Sequence, residues 1–123
     1  IKKVCSNAKN GNKIKVGNIN TVRDYSWASE IVQGIYYFSK SNIKDIILSS
    51  GVGLSGIQIL DEAYKLNNLV SKDFYQVNKK YLRDKEIKVL IGRDKNVDIL
   101  YKKFKWETKT TGKNIIKAMY KLI

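Results

Sequence analysis

Three side chains in this sequence have the chemistry to hold a phosphorylated ligand: Arg23, Arg83 and Glu86. Of the 24 basic residues only Arg23, Arg83 and Arg93 are arginine, so lysine supplies the rest. A planar guanidinium can grip a phosphate through two parallel hydrogen bonds, where lysine offers a point charge on a flexible stem. A pyrophosphate needs such grips, and a ribose diol suits a carboxylate that accepts two hydroxyl hydrogens. Ordinary salt bridges explain the same residues equally well, Arg23 with its neighbour Asp24 among them. Spacing leaves both readings open.

Other chemistries fall away. The chain has no histidine, which excludes a Ser-His-Asp or Cys-His nucleophile within it. Cys5 is its single cysteine, so no internal disulfide can form, metal binding has little to work with, and a reducing, cytoplasmic setting is expected. No run of about 18 apolar residues is present, so no membrane partner is expected. The opening Ile1-Lys2-Lys3-Val4-Cys5-Ser6 has neither an initiator Met nor an apolar signal core, and it already reads as helix. A fragment of a longer chain is expected, with residues 1–123 forming one lobe.

The net charge of +13 raises nucleic acid as a partner. The excess is lysine scattered along the whole length, however, and no nucleic-acid motif accompanies it, so a solvated basic surface is the favoured reading. Lys109, Lys113, Lys117 and Lys121 are spaced by four and could track a phosphate backbone. They also lie opposite Ile115, Met119 and Ile123, where any amphipathic helix puts its charge. Gly51, Gly53 and Gly56 spell G-x-G-x-x-G only in letters, because Ser55-Gly56-Ile57-Gln58 has the form of a helix capping box. The aromatic residues Tyr36, Tyr37, Tyr64, Tyr101, Phe104, Trp106 and Tyr120 fall at helical spacings and read mostly as core.

Mixed helices and strands with short links must position these residues. A helix over 1–10 ends at Asn10-Gly11-Asn12, and Lys13–Val16 alternates as a short strand does. Residues 28–39 place Ile31, Ile35 and Phe38 on one helical face, with Val32 and Tyr36 beside it. The apolar run 45–49 reads as a buried strand and 50–54 as a loop. A helix follows to about residue 67, with Ile57, Leu60 and Tyr64 inward. Residues 73–78 and 87–91 read as strands around a polar connection at 79–84. Helices near 97–105 and from about 112 close the chain, the first carrying Val97, Leu100, Tyr101 and Phe104.

Several of these words resemble one family. Val16-Gly17-Asn18 through Arg23-Asp24-Tyr25 to Ala28 and Val32 resembles, without a gap, the L-G-N-x-x-x-x-R-D-W-x-x-A-x-D-Y-V of the GDP-mannose 4,6-dehydratases, which are extended short-chain dehydrogenase/reductases. Val77 to Gly92, including Tyr81, Arg83 and Glu86, is similar to that family's V-D-P-x-Y-F-R-P-x-E-V-x-x-L-x-G. Ser49 to Ile57 and Lys103 to Trp106 resemble two commoner words, A-T-G-x-x-x-S-V-R and K-L-G-W. The likeness covers nearly all of the chain. It departs at Asp84, which stands where the family has proline, and at Ser26 and Trp27.

The resemblance implies a small mixed α/β substrate-binding lobe from the family's C-terminal third, without the Rossmann part. It implies that Gly17 and Asn18 meet the guanine end of GDP-mannose, that Arg23 and Arg83 hold the diphosphate in a half-open groove, and that Glu86 takes the ribose hydroxyls. The parent would be an NADP-dependent lyase making GDP-4-keto-6-deoxymannose, with NADP and the catalytic residues in the missing N-terminal Rossmann domain and no cofactor bound by this chain alone. Apolar surface would be exposed where that domain is absent, and a homo-oligomer is compatible. The alternatives are a lobe of a related nucleotide-sugar epimerase or reductase, a small basic nucleic-acid-binding module, or an interaction domain with a degenerate pocket.

Overall fold

The computed structural model describes residues 1–92 and 94–123; Arg93 lies outside the described residues. The helices are α1 (Lys2–Lys9), α2 (Ala28–Ser39), α3 (Gly56–Lys65), α4 (Asn96–Phe104) and α5 (Lys113–Leu122), and the strands are β1 (Ile14–Val16), β2 (Val22–Asp24), β3 (Gly53–Ser55), β4 (Tyr75–Val77) and β5 (Val89–Leu90). Short 3-10 turns occupy Ser71–Asp73 and Lys79–Tyr81. Strands β1 and β4 form a parallel pair, while β2 is central in a second sheet, antiparallel to β3 and parallel to β5. This is the mixed α/β architecture expected.

The core gathers where α1, α3 and α5 meet. Cys5, Ala8, Leu60, Ala63, Tyr64 and Ile116 are buried there. Burying a side chain the size of Leu60 or Tyr64 contributes about 1.5–3 kcal/mol. The expected inward face of α3 is therefore correct at Leu60 and Tyr64. Its start is also local chemistry: Ser55 Oγ accepts from the Gln58 amide at 3.2 Å, and Gln58 Oε1 accepts from the Ser55 amide at 2.9 Å. Such a cap contributes about 1 kcal/mol.

Three expectations are corrected. Residues 45–49 are not a buried strand: Ile47 is 57% exposed, and its amide donates to Asp94 Oδ2 at 2.7 Å instead of to a neighbouring strand. The end of the expected loop is strand β3. Helix α2 leaves its apolar face open at Ile35, 53% exposed, and beside it at Val32, 63% exposed, which no expectation excluded. Its buried residue is Gly34, where an added Cβ would stand 2.5 Å from Trp106 Cζ2. The aromatic set is split, since Tyr64 and Trp106 are buried and Tyr36 and Tyr101 are exposed.

Candidate functional site

β2 supplies two charged side chains in succession, and a strand sends successive side chains to opposite faces. Arg23 reaches the segment before β5. Its Nη1 donates to the carbonyls of Val22 (2.8 Å) and Ile87 (2.9 Å), and its Nη2 meets Glu86 Oε1 at 3.2 Å. The two side chains keep 26% and 19% of their surface exposed. The salt bridge is thus made with Glu86, 63 positions away, and not with the adjacent Asp24.

Asp24 does different work. Its carboxylate accepts from the Ser50 amide (3.1 Å), the Ser50 hydroxyl (2.5 Å), the Gly51 amide (2.8 Å) and the Ser26 hydroxyl (3.4 Å). Gly51 has φ +71, a left-handed conformation that glycine adopts without strain. The amides that a glycine-rich loop would offer a phosphate are therefore spent on Asp24. These residues do not fit the pyrophosphate of a dinucleotide cofactor, and the structural reading of this loop is correct.

The other predicted residues lie on the two segments that Arg23 joins. Gly17 follows β1, and an added Cβ there would stand 2.6 Å from the Tyr81 carbonyl oxygen, so its bareness lets the 79–81 turn come close. Asn18 Oδ1 accepts from the Asn20 amide at 3.0 Å, and its carbonyl accepts from the Thr21 hydroxyl at 3.3 Å, which shapes the turn into β2. Arg83 stands on the exposed stretch between the 79–81 turn and β5, and its side chain has no hydrogen-bond or ion-pair partner among the described residues. Lys79, Lys80, Lys85 and Lys88 flank it, all exposed, so the local potential favours an anion.

The segment from the end of β1 through β2 and the arm from Asn78 to Lys88 thus touch at several places, among them the Asn78 amide on the Val16 carbonyl at 2.8 Å, Gly17 against Tyr81, Arg23 against Glu86 and Ile87, and the Val22 amide on the Lys88 carbonyl at 2.8 Å. Concavities of about 300 to 490 Å³ lie elsewhere, one of about 490 Å³ lined by Ser41 to Asp45 with Asn96, Ile99 and Lys103. None of those five is lined by Gly17, Asn18, Arg23, Arg83 or Glu86.

Two further carboxylates organise the lobe without any signal in the sequence that marks them. Glu30, in the first turn of α2, accepts from the amides of Lys109 (2.9 Å) and Thr110 (3.1 Å) and from the Thr110 hydroxyl (2.7 Å). Burial alone would raise its pKa, but these hydrogen bonds, with the Lys109 charge, outweigh it and hold the carboxyl below its ordinary value. Its backbone carbonyl accepts from Trp106 Nε1 at 2.9 Å. Glu62, 8% exposed, faces Lys113 Nζ at 3.5 Å and Lys117 Nζ at 3.9 Å. Lys109 precedes α5, and two of the three stripe lysines on that helix, Lys113 and Lys117, lean on α3, which gives them a structural role. Among the described residues no cluster of His, Cys, Asp or Glu could hold a metal, and no helix is long and apolar enough to cross a membrane.

The fold recurs in solved enzymes. The dTDP-glucose 4,6-dehydratase of Bacillus anthracis str. Ames, in complex with NAD, superposes with a TM-score of 0.75 at 13% identity, over 97% of this chain and 36% of that one. The UDP-glucose 4-epimerase of Bifidobacterium longum, in complex with NAD+ and UDP, gives 0.71 at 15%, over 97% and 37%. RMD from Pseudomonas aeruginosa, complexed with NADPH, gives 0.69 at 13%, over 98% and 39%. At such identities the likeness is one of fold, and the chain spans about two-fifths of the length of these structures. No curated protein sequence matches it. The family model described as GDP-mannose 4,6 dehydratase matches residues 1–119 of the 123, and the chain therefore belongs to that family.

Proposed function

We propose that this lobe binds the nucleotide part of a nucleotide sugar, GDP-mannose in the first instance, within a dehydratase that makes GDP-4-keto-6-deoxymannose. One observation carries the reading: a guanidinium and a carboxylate stand 3.2 Å apart, and a second guanidinium is borne three residues before that carboxylate on a lysine-rich arm. A nucleoside diphosphate presents the matching sequence of groups, an anionic bridge next to a vicinal diol. Arg83 and Arg23 would hold the diphosphate, Glu86 the ribose hydroxyls, and Gly17 with Asn18 the guanine end.

The dehydration itself is assigned to the remainder of the parent protein. This lobe has no histidine to act as a general base, and the Ser50 and Gly51 amides are taken by Asp24, which supports a contribution of binding and orienting. The open apolar side of α2 supports a further, Rossmann-type domain lying against the lobe, because exposed patches of this kind mark interaction surfaces. Calorimetry on the full-length protein tests the reading. GDP should bind, and Arg83→Ala should weaken it by about 2 kcal/mol, roughly thirtyfold, as expected for loss of a charge-assisted grip. Absence of GDP binding, or an Arg83→Ala protein that binds as well as the parent, would refute the assignment.

A further inference from the structure

The Arg23–Glu86 pair has a consequence for how a ligand enters, provided the nucleoside-diphosphate reading above holds. In the ligand-free lobe, the carboxylate meant for ribose occupies the guanidinium meant for phosphate. Paired, the two present almost no net charge; separated, they present a cation and an anion to a ligand that needs both. We infer that Glu86 is an internal competitor for Arg23, and that a nucleoside diphosphate binds by exchange. Its phosphate displaces the carboxylate, and the displaced carboxylate turns to the ribose diol.

The geometry fixes which partner moves. Arg23 is anchored at Nη1 by two backbone carbonyls, Val22 and Ile87, and these bonds survive loss of the ion pair. Glu86 meets it through one oxygen of a flexible side chain, while the backbone that follows is held to β2 at the Ile87 and Lys88 carbonyls. The guanidinium therefore stays and the carboxylate swings. Neither group is sealed off, with 26% and 19% of the side chains exposed, and ion pairs at such positions are weak enough for a phosphate to displace. The apparent affinity for phosphate is lowered by the fraction of molecules in which Arg23 is already occupied. A ligand that carries phosphate but no ribose bears that loss without the compensating contact, so the pair selects for the complete nucleotide.

The test uses the full-length protein with three probes: inorganic pyrophosphate, GDP, and 2′,3′-dideoxy-GDP. In Glu86→Gln, pyrophosphate should bind about threefold tighter or better, because the competitor is gone. The preference for GDP over its dideoxy analogue should at the same time fall towards one. Glu86→Asp, which keeps the charge but draws it away from Arg23, should also tighten pyrophosphate binding, and it stands in should the glutamine variant fail to fold. If GDP binds the parent protein but pyrophosphate binds the variants no better, or more weakly, the exchange is wrong and the pair is a structural clamp. If the parent protein binds no GDP, the nucleotide reading fails, and the exchange fails with it.

Discussion

The two halves of this lobe differ in how far they satisfy themselves. Where α1, α3 and α5 meet, Leu60, Tyr64 and Ile116 are buried to within 1% of their surface, and Tyr64 still places its hydroxyl on the Asn12 carbonyl at 2.6 Å. Around α2 and β5, large apolar side chains stand open: Val32, Ile35, Ile47, Val89 and Leu90 are each more than half exposed. The first half carries stability, and the second carries the candidate ligand residues together with the surface that calls for cover. A lobe divided in this way suits a protein whose binding face is completed by something else.

Substitutions that treat the halves unequally can break this comparison. Tyr64→Ala should have the largest effect, a loss of about 3–5 kcal/mol in urea unfolding, because it opens a cavity and removes a buried hydrogen bond. An equally large loss from an α2 surface residue would contradict the division. Glu30→Gln comes next, at about 1–2 kcal/mol, since three donors lose a charged acceptor. The sign with pH follows from its lowered pKa. The stabilisation from Glu30 is present above the ordinary glutamate value of about 4.5 and is lost as pH falls through the lower folded value, so the gap between parent and variant should close on acidification. A gap that is constant with pH would remove the electrostatic account. Ile35→Ser should matter least, within about 1 kcal/mol for the lobe itself, as is usual at an exposed site.

The same division decides what could be read from the sequence. The cap of α3 was legible because Ser55 and Gln58 are three residues apart and each side chain bonds the other's backbone amide. The core face of α3 followed from its period. Periodicity also gathered Ile31, Ile35 and Phe38 correctly on one face of α2, but it cannot tell whether this chain holds anything to cover that face; Ile35 stays open and Gly34 is buried against Trp106. β2 was illegible because three residues are too few to show a period, and the strand exists only through pairing with segments around Leu54 and Leu90, far along the chain. The apolar run 45–49 misled for the opposite reason, since hydrophobicity suggested a strand while its amide at Ile47 found a side chain, Asp94.

The candidate site was legible in its residue types and not in its pairing. Arg23, Arg83 and Glu86 stand out by chemistry, but adjacency favoured Asp24 as the partner of Arg23. The alternation of a strand sends Asp24 to Ser50 and Gly51 instead, and leaves Glu86 as the carboxylate within reach.

The central claim is that Arg23 and Arg83 act on one diphosphate. A double-mutant cycle on the full-length protein tests it most directly, with Arg23→Lys and Arg83→Lys read by GDP titration, since lysine keeps the charge and loses the bidentate grip. Two residues sharing one bridged pair of phosphates should show an interaction energy of at least about 0.5 kcal/mol. Effects that add within about 0.3 kcal/mol, or a GDP affinity indifferent to both changes, would contradict it.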